Sequence, residues 1–294
     1  MIKYAKKRTD INMDNKWIKE AIEFYNINEK YEEKCYECYK KIVQNEEQLK
    51  RFNDIEHKLY EENYLKIKKL WSIKNVDEMF GKNSDEFVTN LMILRGYEYH
   101  KSNIKKYSLK DEQINIHKKR TKECFENDLI YRKYNGIRIS QMLWATYFIR
   151  VRLIEIGRLQ YEYENTENNI STIKIHIPKG KKLDIEQVKQ SIEKSKTELK
   201  QIFNLNKIKY ICNSWLLSNQ IYNLLDKNSN IAQFHRLFSI KEGENCNDDI
   251  LNFVYEVKKC ESYRDLAENT TLQKKIKEQL INGHCFYLGL GTLK

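Results

Sequence analysis

Three short stretches of this 294-residue chain carry side chains whose types and spacing could do chemistry. In the first, a segment of alternating polarity ends in Ile177-Pro178-Lys179-Gly180-Lys181-Lys182 and runs into a helix opened by Asp184. That arrangement suits an anion. First-turn N–H groups lack helical partners, the helix dipole is positive at that end, and glycine lets the backbone approach a phosphate closely. The same residues also read as an exposed lysine-rich turn, and the local sequence leaves both readings open. His176 stands beside this loop, where it could serve as acid or base near neutral pH or as a hydrogen-bonded structural histidine. In the second stretch, Asn213-Ser214-Trp215-Leu216-Leu217 lies between a strand and a helix. Active sites often sit at such sheet edges, although a buried Trp behind a capping Ser accounts for the pattern as well. The third, Cys35-x-x-Cys38, has metal-pair spacing. Structural zinc needs four ligands, and no second pair of Cys or His stands at a compatible spacing, so the two thiols read as core packing on a helix with Tyr31 and Ile42. Neither a P-loop nor a dinucleotide glycine fingerprint follows a strand.

The elements that must position these residues change character midway. Up to about residue 156, apolar residues recur three and four apart with few glycines, which predicts helices. Asp14 caps one carrying Trp17, Ala21 and Phe24; Tyr31, Cys35, Cys38, Ile42, Leu49 and Phe52 continue the period on a second. Ser84-Asp85-Glu86 opens another that ends near Gly96, and Ser140 precedes an apolar run from Met142 to Ile156 with Gly157 at the C-terminal cap position. Beyond Gly157 the period falls to two: Leu159 to Glu164 and Ile173 to Ile177 predict antiparallel strands joined through Asn165 to Asn169. Next come a helix from Asp184 with Val188, Ile192 and Leu199 inward, a strand at Lys209 to Cys212, a short helix at Ser218 to Leu225, and a strand at Ile231 to Phe238. Helices at Asp249 to Lys258 and Thr271 to Ile281 and a final strand at Phe286 to Leu288 complete the series. The fold class is α+β or α/β: a helical half, residues 1–150, and a mixed β-sheet covered by helices, residues 151–294.

Composition excludes several classes. One proline and nine glycines rule out collagen-like and glycine-rich chains, and 12% aromatic residues argue for a folded core despite 32% charged residues. No apolar run is long enough for a membrane helix. The charged start, Met1 to Arg8, lacks the apolar segment of a secretory signal, and seven scattered cysteines show no disulfide framework, so the expected compartment is the cytoplasm with reduced thiols. The net charge of +11 is spread over both halves; the one excess, eight Lys and Arg between Lys101 and Lys122 against Asp111 and Glu112, reads as a solvated face before it reads as a polyanion site.

Several motifs in register, Gly157-Arg158-Leu159-Gln160-Tyr161-Glu162, Ile175 to Leu183, Ser214 to Leu217, Ser229 to Phe234 and Thr271-Leu272-Gln273-Lys274, together resemble a family of bacterial acyltransferases. Its members pair an N-terminal acyltransferase domain with a GNAT-like C-terminal domain. The resemblance implies a GNAT-type fold in which acetyl-CoA or another acyl-CoA lies in a splay between strands, its pyrophosphate on the loop Lys179, Gly180, Lys181 and Lys182. It implies acyl transfer to a small-molecule or peptide amine without a metal, His176 and Glu162 being the candidate bases and Tyr222 the candidate acid for the thiolate. Gln160, Ser214, Trp215 and Asn230 would line the substrate pocket or support it. Two alternatives compete: a non-catalytic binding module of the same fold, and a basic nucleic-acid-binding protein.

Overall fold

In the computed structural model of the chain, the described residues are 16–294 except 63, 74, 136–138, 181 and 258–259; the expected Asp14 cap and Lys181 lie outside them. The chain divides into two compact units, residues 1–153 and 154–294. The first is helical, and the second is built on a mixed sheet.

The first unit contains α1 (Lys16–Tyr25), α2 (Glu32–Val43), α3 (Glu46–Tyr60), α4 (Tyr64–Leu70), α5 (Val76–Phe80), α6 (Val88–Arg95), α7 (Tyr97–Lys106), α8 (Asp111–Asn135) and α9 (Ser140–Ile149). At its centre is α6, buried at every residue from Val88 to Leu94 and packed against α1, α2, α3, α7, α8 and α9. The two polar residues of that buried stretch are paired inside the bundle, Asn90 Nδ2 donating to Phe125 O at 2.9 Å and Thr89 Oγ1 to Asp128 Oδ2 at 2.8 Å. The single helix expected through Tyr31 and Phe52 is two, because the Asn45 side chain accepts the Gln48 N–H at 3.1 Å and caps a fresh helix, α3. Cys35 and Cys38 form no disulfide and lie buried in the apolar core, in line with the packing reading.

The apolar run 142–156 also departs from expectation. The helix stops at Ile149: Val151 turns left-handed (φ 52°), its N–H bonds to Phe148 O at 2.9 Å, and Arg152 N–H reaches back to Tyr147 O at 2.8 Å. That pair of bonds is a Schellman cap, with Val151 in the place glycine usually takes. The run resumes as a strand, Leu153–Ile156, buried at all four residues, and a short buried segment reads alike in a helix and a strand.

The second unit is a six-stranded sheet in the order β1-β2-β3-β4-β6-β5, with β1 (Leu153–Ile156), β2 (Leu159–Glu167), β3 (Ile170–His176), β4 (Lys207–Ser214), β5 (Phe238–Asn245) and β6 (Tyr287–Leu293). Its helices are α10 (Ile185–Phe203), α11 (Asn219–Leu224), α12 (Asn230–His235), α13 (Asn247–Val254) and α14 (Thr271–Ile281). Asn168 and Asn169 make the β2–β3 turn with φ of 49° and 62°, the doubly left-handed form that two-residue hairpins favour and asparagine tolerates. The strand expected at Ile231 to Phe238 is instead α12 followed by β5, because the Ser229 hydroxyl caps α12 by accepting the Ala232 N–H at 3.3 Å. Helix α10 packs its Val188, Ser191, Ile192, Ser195 and Leu199 face onto the sheet. Tyr161 OH lies 2.8 Å from Ser191 Oγ, and Ser195 Oγ donates to Tyr210 OH at 2.9 Å, so hydroxyls pin α10 to β2 and β4. On β6, a Cβ added at Gly289 would stand 2.1 Å from the Leu217 carbonyl oxygen, so only glycine lets the Trp215–Leu217 turn lie on that strand.

Candidate functional site

Strands β3 and β4 are the parallel neighbours in this sheet, paired from Ile170↔Lys207 to Lys174↔Ile211. Beyond that point each strand runs on with only its other edge paired. β3 continues against β2 as far as Gln160↔His176, while β4 continues against β6 through Cys212↔Gly291, Asn213↔Leu290 and Ser214↔Gly289. The β3–β4 pairing therefore stops short of both strands' C-terminal ends, at the edge where α/β sheets present their ligands.

On the β2–β3 limb, the period of two sends Tyr161 and Ile175 toward α10 and sets Gln160, Glu162, Lys174 and His176 on the opposite face. There His176 Nε2 lies 2.7 Å from Glu162 Oε2, with the carboxylate side chain only 4% exposed and the imidazole 22% exposed. A carboxylate bonded to one ring nitrogen fixes the tautomer and the plane of the ring, which is the base-and-orienter arrangement of acyl-transfer chemistry. Gln160 lies next to this pair and donates to Glu155 Oε2 at 2.8 Å.

Past His176 the chain turns through the lysine loop. Lys179 and Lys182 are exposed, Lys179 Nζ pairs with Glu256 at 2.5 Å, and Gly180 takes φ +98° with open space where a Cβ would be. The loop therefore faces solvent and has room beside it for a ligand. Asp184 restricts where an anion can sit: it caps α10 by accepting the Gln187 N–H at 2.9 Å, so a carboxylate already satisfies one first-turn amide. Arg158, in the β1–β2 turn, is 4% exposed and donates from Nε to Lys182 O at 2.9 Å and from Nη1 to Pro178 O at 3.0 Å. As a member of the Gly157 to Glu162 motif alone, this arginine has no evident role. The signal for one is the hairpin register, which, continued two residues past Gln160↔His176, sets Arg158 opposite Pro178.

The β4 limb is built differently. Ser214 Oγ accepts the Leu216 N–H at 3.2 Å and caps the short turn that carries Trp215, whose side chain packs on the cluster of Ile221, Ile250, Tyr255 and Phe286. Capping and packing account for those two residues. Tyr222, on α11, stacks on His235 with ring centroids 4.2 Å apart and carries Lys227 Nζ 3.7 Å from its ring centre. Burial and the charges of Lys227, Lys294 and Arg236 hold the His235 imidazole below its usual range, which keeps it a neutral platform for the tyrosine. Asn230 opens α12 immediately after its Ser229 cap. Cys212, fully buried at the point of parting, has its thiol pushed up to about 12 by burial, so it supplies no thiolate near neutral pH. Among the described residues, no group of three or more Cys, His, Asp or Glu side chains is gathered as a metal would require, and no helix is long and apolar enough to cross a membrane.

Residues 153–293 match the family model of the GNAT-like C-terminal domain. No curated protein matches the chain. Among solved structures, an acyltransferase in complex with decanoyl-CoA is similar over 94% of this chain and 98% of its own, at 17% identity and a TM-score of 0.63. An acyltransferase in complex with CoA and 10C-teicoplanin is similar over 71% of this chain and 66% of its own, just under two thirds of that protein, at 21% identity and a TM-score of 0.61. Another, with decanoyl-CoA and teicoplanin, gives 21% identity and a TM-score of 0.60. At these identities the likeness is one of fold, and it is the sheet-bearing residues 153–293 that carry the match to the GNAT-like C-terminal domain.

Proposed function

We propose that this chain is an acyl-CoA-dependent acyltransferase, its acyl-CoA arm lying between the parted ends of β3 and β4 and its diphosphate on the loop that follows β3. The observation that carries the reading is the parting itself: two parallel strands stop pairing at Lys174↔Ile211 while both continue, so backbone groups on their facing edges are left for an extended ligand. The exposed lysines and Gly180 at φ +98° fit a diphosphate beyond the end of β3. The solved acyltransferases of the same fold carry CoA thioesters, which favours this ligand class over nucleic acid.

In the proposed reaction the acceptor nucleophile attacks the thioester carbonyl directly. His176 takes the proton that the nucleophile loses, and Glu162 holds the imidazole and stabilises the cation that forms. The high Cys212 thiol pKa, about 12, disfavours an acyl-cysteine route through this residue. Tyr222 is the group we assign to return a proton to the departing CoA thiolate, its ring held by His235. Gln160 and Asn230 line or support the acceptor pocket. For the acceptor we favour an amine-bearing small molecule or peptide; of two structures of similar fold, one holds teicoplanin and the other 10C-teicoplanin. Residues 1–150, which make up nearly all of the helical first unit, are assigned as the N-terminal acyltransferase-associated domain.

The test is calorimetry and thermal shift with CoA, then transfer assays over an amine panel. Ligand at 100 times its dissociation constant should add about 2.7 kcal/mol of stability. Replacing Lys179, Lys181 and Lys182 by Ala should weaken CoA binding several-fold. Stabilisation by CoA without turnover on any acceptor would replace the enzyme by a binding module, and tight salt-dependent DNA binding with no response to CoA would remove the proposal altogether.

A further inference from the structure

The buried guanidinium of Arg158 bonds to the carbonyl oxygens at both ends of the lysine loop, Pro178 O at 3.0 Å and Lys182 O at 2.9 Å. The peptide bonds here are trans, and in a trans peptide unit the C=O and the following N–H point in opposite directions. Drawing the Pro178 carbonyl to Arg158 therefore turns the Lys179 N–H away from it, and drawing in the Lys182 carbonyl does the same to the Leu183 N–H. Between these two amides lies Gly180 at φ +98°, with open space where a side chain would be.

We propose that Arg158 is a positioning residue for the diphosphate: it gathers the loop's carbonyls beneath the loop so that the Lys179 and Leu183 amides face the ligand as a pair of anion donors. This rests on the reading that the loop seats the CoA diphosphate, and it explains how a loop with a single glycine can do so. In the glycine-rich form of such loops the backbone turns its amides outward by conformational freedom; here a buried cation holds them. Arginine is the residue for the task, because its planar fork reaches two acceptors at fixed separation while lysine offers one point charge. The Asp184 cap at the start of α10 is consistent with this division of labour, since a carboxylate already occupies the Gln187 amide there.

The experiment compares wild type, Arg158→Gln and Arg158→Lys in the full chain by calorimetry with CoA and with pantetheine, the same thiol arm without diphosphate and nucleotide. We expect R158Q to weaken CoA binding about tenfold or more, the worth of one well-aimed donor to a charged oxygen, and to leave pantetheine unchanged. R158K should fall between, and it carries the test should R158Q fail to fold. Equal loss of both ligands would mark Arg158 as a structural residue and overturn the proposal, as would unchanged CoA binding in a variant that has lost the fork. Wild-type protein that binds CoA no better than pantetheine would instead overturn the diphosphate reading of the loop, and with it this inference.

Discussion

His100 in the first unit and His176 in the second are the same residue type in opposite surroundings. In the first, Cys35, Cys38, Cys124 and His100 are all buried, and burial pushes the Cys38 and Cys124 thiols up while holding the His100 imidazole well below its usual range. In the second, the imidazole of His176 keeps 22% of its surface, rests on a buried carboxylate and sits beside an exposed cationic loop. The contrast shows that a side chain's chemistry is set by where the fold leaves it. A thiol or imidazole shut away from water is packing material.

The sharpest way to break this comparison is to remove the second unit's base. His176→Gln should lower the acyl-transfer rate by about 10²- to 10⁴-fold with little change in the unfolding midpoint, and Glu162→Gln should lower it by less, since the ring would lose its orienter and remain. An unchanged rate for both would place the pair among the structural residues, alongside those of the first unit. The next largest effect is on stability. Gly289→Ala drives a methyl into the Leu217 carbonyl and should cost about 1–3 kcal/mol or more in denaturant unfolding.

A pH titration of stability sharpens the contrast from the other side. His100 lies against Tyr25, Phe24 and His117, with Tyr25 OH 3.2 Å from its Nδ1, and Lys118 adds positive charge nearby. Its folded pKa is depressed, so the unfolded chain binds the extra proton. Stability contributed by keeping this ring neutral is complete above about pH 6.5 and is lost as pH falls below it, at up to about 1.4 kcal/mol per pH unit. His100→Phe should flatten that slope, as followed by the unfolding midpoint between pH 7 and 5. Smaller again, Cys35→Ala should cost about 1–2 kcal/mol of stability and leave both acyl transfer and resistance to chelators unchanged. At the bottom of the scale, Lys179→Ala breaks only an exposed pair with Glu256 and should leave the unfolding midpoint where it is, while weakening CoA binding.

Much of the fold is legible in the chain itself, for identifiable reasons. The alternation around Tyr161 and Ile175, the capping Asp184 and the Thr270–Gln273 capping box before α14 are local signals, and local signals set local structure. The parts that are not legible depend on residues distant in sequence. The division of Met142 to Ile156 into a helix and a strand rests on a left-handed valine that no propensity favours. The hydrogen bonds of Arg158 depend on a hairpin bringing residue 158 to 178 and 182. Glu162 and His176 both stand out as candidate bases, yet the 2.7 Å bond that makes one the orienter of the other exists only once β2 and β3 are in register.

The strand order carries a consequence for synthesis. β5 pairs with β6 alone, so Phe238–Asn245 leaves the ribosome with no neighbour until Tyr287 and the residues after it have been made. At roughly 5–20 residues per second, that is a wait of a few seconds, during which a bare strand edge could join another nascent chain. The sequence of that strand, with Lys241, Glu242 and Glu244 all exposed, gives it enough charge to stay solvated through the delay.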